Sequence, residues 1–324
     1  MIWMSILDVQ NLKMYYKIGR GYVHAVDDVS FKVEKGVGLG LAGESGCGKT
    51  SIAITILRIL PTNARIFGGK VIFDGKDILA MDEDTLRSQI RWGGISLVFQ
   101  GAMNALNPVY KVEDQIIEAI RIHEPQTSKE EAKERVKKLF ELVGMDPERS
   151  SNYPHEFSGG MRQRACIAMA LACNPKLLIA DEPGTALDVV VQAQILKLLR
   201  ELKDKLGLSM IVISHDLSII AETCEKSAIM YAGWIVEYGD IISIFKEPLH
   251  PYTQDLIGAF PSIHSKRTRL SYIPGSPPDL LNPPSGCRFH PRCKYAMEIC
   301  KKEKPPLIEA SKDHYVLCHL LAKR

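Results

Sequence analysis

Apolar and polar positions alternate in two runs near the start of the chain, Ile6-Leu7-Asp8-Val9 and Val23-His24-Ala25-Val26 onward to Phe31-Lys32-Val33. The turn-rich Lys17-Ile18-Gly19-Arg20-Gly21 lies between them. A period of two in both runs predicts antiparallel strands rather than a strand–helix–strand unit. An apolar run with glycines, 37–42, leads through a glycine-rich turn into the helical Ser51-Ile52-Ala53-Ile54-Thr55-Ile56-Leu57. Gly68-Gly69-Lys70-Val71-Ile72-Phe73-Asp74-Gly75 adds another strand with turns at both ends. A small antiparallel sheet is therefore expected on either side, in sequence, of that glycine-rich turn.

From about 101 to 174 the pattern becomes helical. Ser128-Lys129-Glu130-Glu131 is a capping box, followed by Ala132, Val136, Leu139, Phe140 and Val143 at helical spacing, with Gly144 as the stop. Strands and helices then alternate. Leu177-Leu178-Ile179-Ala180 and Met210-Ile211-Val212-Ile213 are continuous apolar runs, and Val191, Ile195, Leu198, Leu199, Leu202 and Leu206 mark one face of a helix closing at Gly207. This alternation predicts an α/β fold with a parallel sheet covered on both faces. Ala228–Tyr231 and Trp234–Glu237 around Ala232-Gly233 predict a closing hairpin. Beyond Phe245, prolines such as Pro248, Pro261, Pro277, Pro284 and Pro306 punctuate a stretch with little periodicity. The expected division is residues 1–245 as the main domain, with its helical part at about 101–174, and 246–324 as a separate extension ordered by something other than a hydrophobic core.

The balance of the chain narrows its class. A length of 324 residues is enough to bury a sizeable core, and a net charge of +3 without a Lys/Arg block gives no sign of a nucleic-acid partner. The start, Met1-Ile2-Trp3-Met4-Ser5-Ile6-Leu7-Asp8, lacks the charged head, apolar core and cleavage site of a signal peptide. No apolar run approaches the ~18 residues of a membrane span. A soluble chain is expected, with any membrane role that of a peripheral subunit.

Chemistry enters with Gly43-Glu44-Ser45-Gly46-Cys47-Gly48-Lys49-Thr50, the G-x-x-x-x-G-K-[ST] phosphate loop, placed between a strand and a helix as the motif requires. Its glycines let backbone N–H groups turn around a phosphate chain, and the helix N-terminus beginning near Ser51 adds partial positive charge. Lys49 reaches the β- and γ-phosphates and the Thr50 hydroxyl ligates Mg²⁺. Asp181-Glu182 ends a buried strand, where Asp181 orients the metal's hydration shell and Glu182 polarises an attacking water. Phe157-Ser158-Gly159-Gly160-Met161-Arg162-Gln163-Arg164 supplies N–H groups and a hydroxyl at a second helix start. Gln100 and His215 follow strands; the Gln100 side chain is able to bridge metal and water, and His215 is either a structural strand-end histidine or placed to contact a γ-phosphate.

Phosphate loop, glutamine loop, Ser-Gly-Gly signature, paired acids, Ala186-Leu187-Asp188 and terminal histidine, in that order, resemble the ATP-binding-cassette (ABC) ATPases over residues 5 to about 245. The resemblance implies an ABC-type P-loop core with a flanking antiparallel β subdomain and a helical subdomain, using ATP and Mg²⁺. It implies a head-to-tail dimer in which nucleotide on Lys49, Thr50, Gln100 and Asp181 is closed over by the partner's Ser-Gly-Gly-Met equivalent. Glu182 would be the general base, His215 the γ-phosphate switch and Asp188 part of the loop crossing the interface. Tyr16 stands where the family stacks an aromatic on adenine, with Tyr15 and Tyr22 as alternatives. Phe99-Gln100 with Leu106-Asn107-Pro108, the Met161-containing signature, His250-Pro251-Tyr252-Thr253 and Gly286-Cys287-Arg288-Phe289-His290-Pro291-Arg292-Cys293 resemble the branch that powers di- and oligopeptide uptake and, in related systems, nickel uptake. Gly101 and Gly184 depart from it, standing where the family has an acid and a threonine. The partners implied are a sister cassette or a second copy, two membrane-spanning permease subunits and, indirectly, an extracytoplasmic solute-binding protein, at the cytoplasmic face of the membrane. A cassette acting on nucleic acid or ribosomes and a P-loop kinase are the alternatives.

Of eight cysteines, Cys287, Cys293, Cys300 and Cys318 crowd into the last 38 positions. In the reducing compartment expected for an ATP-using chain, clustered thiols more often bind metal than form disulfides. Their spacings lack the short chelates structural zinc favours, whereas a [4Fe–4S] cluster accepts wider loops. A structural cluster is expected, with Zn²⁺ and unligated thiols as alternatives.

Overall fold

The computed structural model describes residues 5–101, 105–259 and 273–322. Met1 to Met4 of the expected start and Pro261 of the proline-punctuated stretch lie outside the described residues. In chain order, β1 (Ser5–Ile18) and β2 (Gly21–Glu34) are followed by β3 (Gly38–Ala42), α1 (Lys49–Ile56), β4 (Ala64–Phe73) and the short β5 (Lys76–Asp77). The middle of the chain holds α2 (Glu83–Thr85), β6 (Ile95–Val98), α3 (Val112–His123), α4 (Lys129–Leu142) and α5 (Gly159–Ala170). Then come β7 (Leu177–Asp181), α6 (Val189–Leu206), β8 (Ser209–Ser214), α7 (Leu217–Thr223), β9 (Lys226–Tyr231) and β10 (Trp234–Asp240). The last elements are α8 (Ile241–Lys246), α9 (Pro251–Gly258), α10 (Glu298–Lys302), β11 (Leu307–Ser311), β12 (His314–Leu317) and α11 (His319–Ala322).

The chain forms two compact units. One takes residues 5–7 with Val33–Gly38 and Phe73–Ile213; the other takes Asp8–Lys32, Leu39–Ile72 and the chain from Ser214 onward.

In the first unit, β6, β7 and β8 pair in parallel, with Ile95 opposite Leu177 and Leu177 opposite Ser209. Every residue of β7 and β8 is buried, which is why both read as unbroken apolar runs. Between β6 and β7 the chain builds α3, α4 and α5, with α4 packed against both neighbours. The predicted capping box is present: Ser128 Oγ accepts from Glu131 N at 3.2 Å, and Glu131 accepts from Ser128 N at 2.9 Å. Gly144, at φ 71°, takes the left-handed conformation that ends this helix.

In the second unit, β2, β1 and β4 lie in that order, and β11-β12-β10-β9-β3 form a sheet segment. β3 pairs with β9 in parallel, and β9 with β10 in an antiparallel hairpin whose turn holds Ala232 at φ 50° and Gly233 at φ 82°. Two consecutive positive φ values match the primed turns that suit the strand twist. Gly40 needs its missing side chain, because a Cβ there would lie 2.1 Å from Ile220 of α7.

The C-terminal stretch differs from the coreless extension expected. Phe289 is buried against Tyr231 and Tyr252, with ring centroids 5.1 and 5.4 Å away, and Val316 is fully buried. Burying one such ring contributes about 1.5–3 kcal/mol. β12 also joins the edge of β10, with Glu237 opposite Val316. Apolar packing therefore does order this stretch, on side chains supplied by earlier strands and helices. Among the described residues, no helix is long and apolar enough to cross a membrane.

Candidate functional site

The phosphate loop leaves the buried β3 and enters α1 through three glycines in left-handed or near-extended positive φ: Gly43 at 148°, Gly46 at 80° and Gly48 at 109°. At two of these only glycine fits. A Cβ would stand 2.2 Å from Met230 O at Gly43 and 2.0 Å from Ala25 O at Gly48. The loop is thereby pressed onto the backbone of β2 and β9. Lys49, 6% exposed, folds back so that Nζ donates to Gly43 O at 2.7 Å and Glu44 O at 3.0 Å. Cys47 N donates to Glu44 O at 3.3 Å, and Cys47 O accepts from Gly233 N at 2.9 Å. Burial pushes the Cys47 thiol above its ordinary range. Ser45, Gly46 and Thr50 are exposed. A primary amine held against two carbonyls, beside exposed loop residues at a helix N-terminus, is equipped to exchange those carbonyls for phosphate oxygens.

Behind the loop, the Tyr16 hydroxyl and Ser51 Oγ lie 3.0 Å apart. Tyr15 is committed elsewhere: it donates to Asp27 at 2.7 Å and stacks between His24 and Phe67. Tyr22 meets Phe67 edge-on at 5.0 Å.

In the first unit, Asp181 closes β7 and is 1% exposed. Glu182 follows at φ 47°, a left-handed conformation that a bulky residue adopts only under constraint; its N donates to Ile213 O at 2.9 Å. Glu182 Oε2 accepts from Thr185 Oγ1 at 2.8 Å and from Gln100 Nε2 at 3.3 Å. The two polar groups expected on water and metal are thus brought together. A Cβ on Gly184, which departs from the family pattern, would stand 2.5 Å from the Gln192 side chain.

Ser158 caps α5, its Oγ accepting from Met161 N at 3.3 Å. Phe157 anchors the approach edge-on to Phe140. Gly160 passes close to Val191, whose N donates to the α6 cap Asp188 at 3.0 Å. The signature and the Asp188 turn are therefore neighbours. His215 is exposed just beyond β8, before the α7 cap Asp216.

The four C-terminal cysteines are expected from the sequence to hold a structural metal centre. Among the described residues, no group of three or more His, Cys, Asp or Glu side chains is arranged to hold a metal ion. Burial pushes the Cys287 thiol up to about 12, with smaller contributions from Cys300, Cys318 and Cys293. Cys318 is pushed up to about 11 for the same reason. Burial likewise raises the Cys293 thiol.

Two side chains at the phosphate loop carried no role in the sequence. Arg292 makes a two-pronged ion pair with Glu44, Nη1 to Oε2 at 2.7 Å and Nη2 to Oε1 at 2.9 Å. The Tyr252 hydroxyl accepts from Glu44 N at 2.9 Å. Both sit in sequence patterns singled out as family marks, but nothing in their spacing pointed to Glu44.

Comparisons with known proteins accord with this geometry. The profile described as "ABC transporter" matches residues 26–185, and "Oligopeptide/dipeptide transporter, C-terminal region" matches residues 236–300. The dipeptide transport ATP-binding protein DppD of Caldanaerobacter subterraneus subsp. tengcongensis is 44% identical over 97% of this chain and 97% of its own. The oligopeptide transport ATP-binding protein OppD of Bacillus subtilis is 46% identical over 98% of this chain and 89% of its own. Among solved structures, the dimeric post-hydrolysis state of the ATP-binding cassette MJ0796 bound to ADP and Pi superposes with a TM-score of 0.64 at 26% identity, over 72% of this chain and 98% of that one. CbiO1 from Clostridium perfringens, part of the ABC transporter complex cbiONQ, gives 0.65 at 26% identity, over 75% and 91%.

Proposed function

The chain belongs to the ABC transporter ATP-binding proteins, in the branch that carries the oligopeptide/dipeptide C-terminal region, and on that premise we propose that it is the ATP-hydrolysing subunit driving a membrane importer of di- and oligopeptides. It is an ATPase of the cassette type. The observation that carries the solute class is the pairing of both family segments in one chain, with relatives of both named kinds aligned over almost its whole length.

In this reading the loop from Gly43 to Ser51 holds the triphosphate, with Lys49 leaving its loop carbonyls for the β- and γ-phosphate oxygens, and Tyr16 carries the adenine. Glu182, oriented by Thr185 and Gln100, takes the proton from the attacking water, and His215 contacts the γ-phosphate. Thr50, Gln100 and Asp181 are oxygen donors of the kind Mg²⁺ takes, and the metal supplies neutralisation of the charge that develops on the phosphates. The signature Ser158-Gly159-Gly160-Met161 serves the nucleotide of a second cassette, a paralogue or another copy, with Asp188 in the same interface. A single phosphate loop leaves the terminal phosphate half solvated; a second helix N-terminus excludes that water, so hydrolysis is tied to closing the pair. Force then passes to two membrane-spanning subunits, placing the chain peripherally on the cytoplasmic face. The peptide is delivered to those subunits by an extracytoplasmic binding protein that the cassette does not touch.

Reconstitution with its membrane subunits tests the proposal. Peptide uptake into vesicles should require ATP and vanish with Glu182→Gln. Uptake of nickel in place of peptide, or co-purification with RNA in place of membrane subunits, would overturn it.

The four thiols support a second, structural reading. The spacing of Cys287, Cys293, Cys300 and Cys318 lacks the short chelates of structural zinc and suits the wider loops of a [4Fe–4S] cluster. Iron, sulfide and zinc analysis of anaerobically purified protein decides between iron–sulfur, zinc and free thiols.

A further inference from the structure

Glu44 is held from three sides. Its backbone N–H goes to Tyr252, its carbonyl takes Lys49 and Cys47, and its carboxylate takes Arg292. Arg292 is itself 5% exposed at the side chain, and every N–H of its guanidinium has an acceptor. Nε donates to Pro274 O at 2.7 Å, Nη1 to Tyr231 OH at 3.4 Å, and Nη2 to Gly275 O at 3.4 Å, in addition to the two Glu44 oxygens. Its planar face lies 5.6 Å from the Tyr231 ring centre. Tyr252 is fully buried in the same aromatic cluster, 4.7 Å from Tyr231.

We infer that Arg292, with Tyr252, is a positioning residue for the phosphate loop: it fixes the Glu44 peptide, and through it the direction of the loop N–H groups, from a segment whose next residue is Cys293. This rests on the reading that the loop binds ATP. Fixing a carboxylate this way does two things. It neutralises a negative charge that otherwise stands beside the triphosphate, and it keeps the first peptide of the loop from rotating when Lys49 releases its carbonyls. A forked pair whose guanidinium is buried does this better than a surface ion pair, because its two-pronged planar geometry fixes direction as well as charge. The segment carrying Arg292 is ordered by the Cys287 N to Cys300 O bond at 2.8 Å and by the Phe289 packing. Whatever alters the thiol-bearing segment therefore alters the loop, and nucleotide on the loop steadies the segment by the same coupling.

Binding of a fluorescent ATP analogue to the full chain tests this. Arg292→Gln should weaken binding about tenfold, and Arg292→Lys, which keeps the charge but loses the fork, about threefold. Glu44→Gln should weaken it less than Arg292→Gln, and the double variant should bind no worse than Arg292→Gln alone, because both changes remove one interaction. Hydrogen exchange supplies a readout that simple destabilisation does not move. ATP should slow exchange at Arg292 and Cys293 in the wild type but not in Glu44→Gln. Affinity within twofold of wild type in Arg292→Gln, or additive losses in the double variant, overturns the inference. Should Arg292→Gln fail to fold, wild-type affinity in both Arg292→Lys and Glu44→Gln overturns it. A wild-type chain that binds no ATP defeats the functional reading instead.

Discussion

Glu237 Oε1 and His314 Nε2 stand 2.8 Å apart across the paired strands β10 and β12, with both side chains buried. The same carboxylate accepts from Leu249 N at 2.8 Å and His250 N at 2.9 Å, so it organises the entry to α9 as well as the strand pairing. Glu237→Ala leaves the Leu249 and His250 N–H groups and the His314 ring without their partner and should lower stability by about 1–3 kcal/mol for each buried group left unpaired. Glu237→Gln, which keeps one carbonyl acceptor, should lose less. Urea unfolding followed by tryptophan fluorescence checks both.

His250 gives the fold a dependence on acid. Burial holds its imidazole down to about 4, against an ordinary 6.5, with Glu237 opposing. A histidine depressed in the folded state is neutral there while the unfolded chain takes up the proton. Stability is thus full above about 6.5, falls as pH drops towards about 4 and levels off below, by up to about 3 kcal/mol from this group. Nδ1 of His250 caps α9 by accepting from Tyr252 N at 3.0 Å, and Asn preserves that acceptor without titrating. Thermal midpoints across this range should slope in the wild type and lose that part of the slope in His250→Asn.

Glu182→Gln tests the proton acceptor. Glutamine keeps an oxygen for Thr185 and Gln100, so the turn should survive while hydrolysis falls by roughly 10²–10⁴ and ATP binding persists. Phosphate release and equilibrium binding measured on one preparation separate the two. Loss of binding in step with hydrolysis would count against the role.

Gly160→Ala places a methyl 2.6 Å from Val191 Cγ1, closer than real contacts allow. The Val191 side chain or the start of α5 or of α6 has to shift, disturbing the signature against Asp188. ATPase activity of the assembled importer should fall at least tenfold, while ATP binding to the isolated chain, which uses the other unit's loop, stays near wild type. Pairing with Val191→Ala, which clears the space, should restore part of the loss.

Local chemistry made much of the molecule legible in the sequence. Ser128 and Glu131 announced α4 because a capping box is complete within four residues. Gly207 stopped α6, Ala232-Gly233 turned the hairpin, and Lys49 and Glu182 were recognisable because their neighbours in sequence carry the motif. What stayed hidden depends on partners far apart along the chain. Phe289 gave no periodic signal, since the rings it packs on, Tyr231 and Tyr252, belong to β9 and α9. The Arg292–Glu44 pair spans 248 positions, and no local pattern specifies such a closure. β11 and β12 carry no sequence signal for a related reason, being too short to show an alternation that β10 alone makes meaningful.

The seating of β12 along β10 bears on how the protein can be handled. A sheet edge with free N–H and C=O groups invites other chains to add on, and β12 occupies that edge of β10, with β11 as the outermost strand. Cutting the chain before Leu307 would uncover β10 and its buried Val236, turning a shielded border into a template for intermolecular stacking. Shortened versions that keep every nucleotide-binding motif should for that reason be harder to keep in solution than the intact polypeptide.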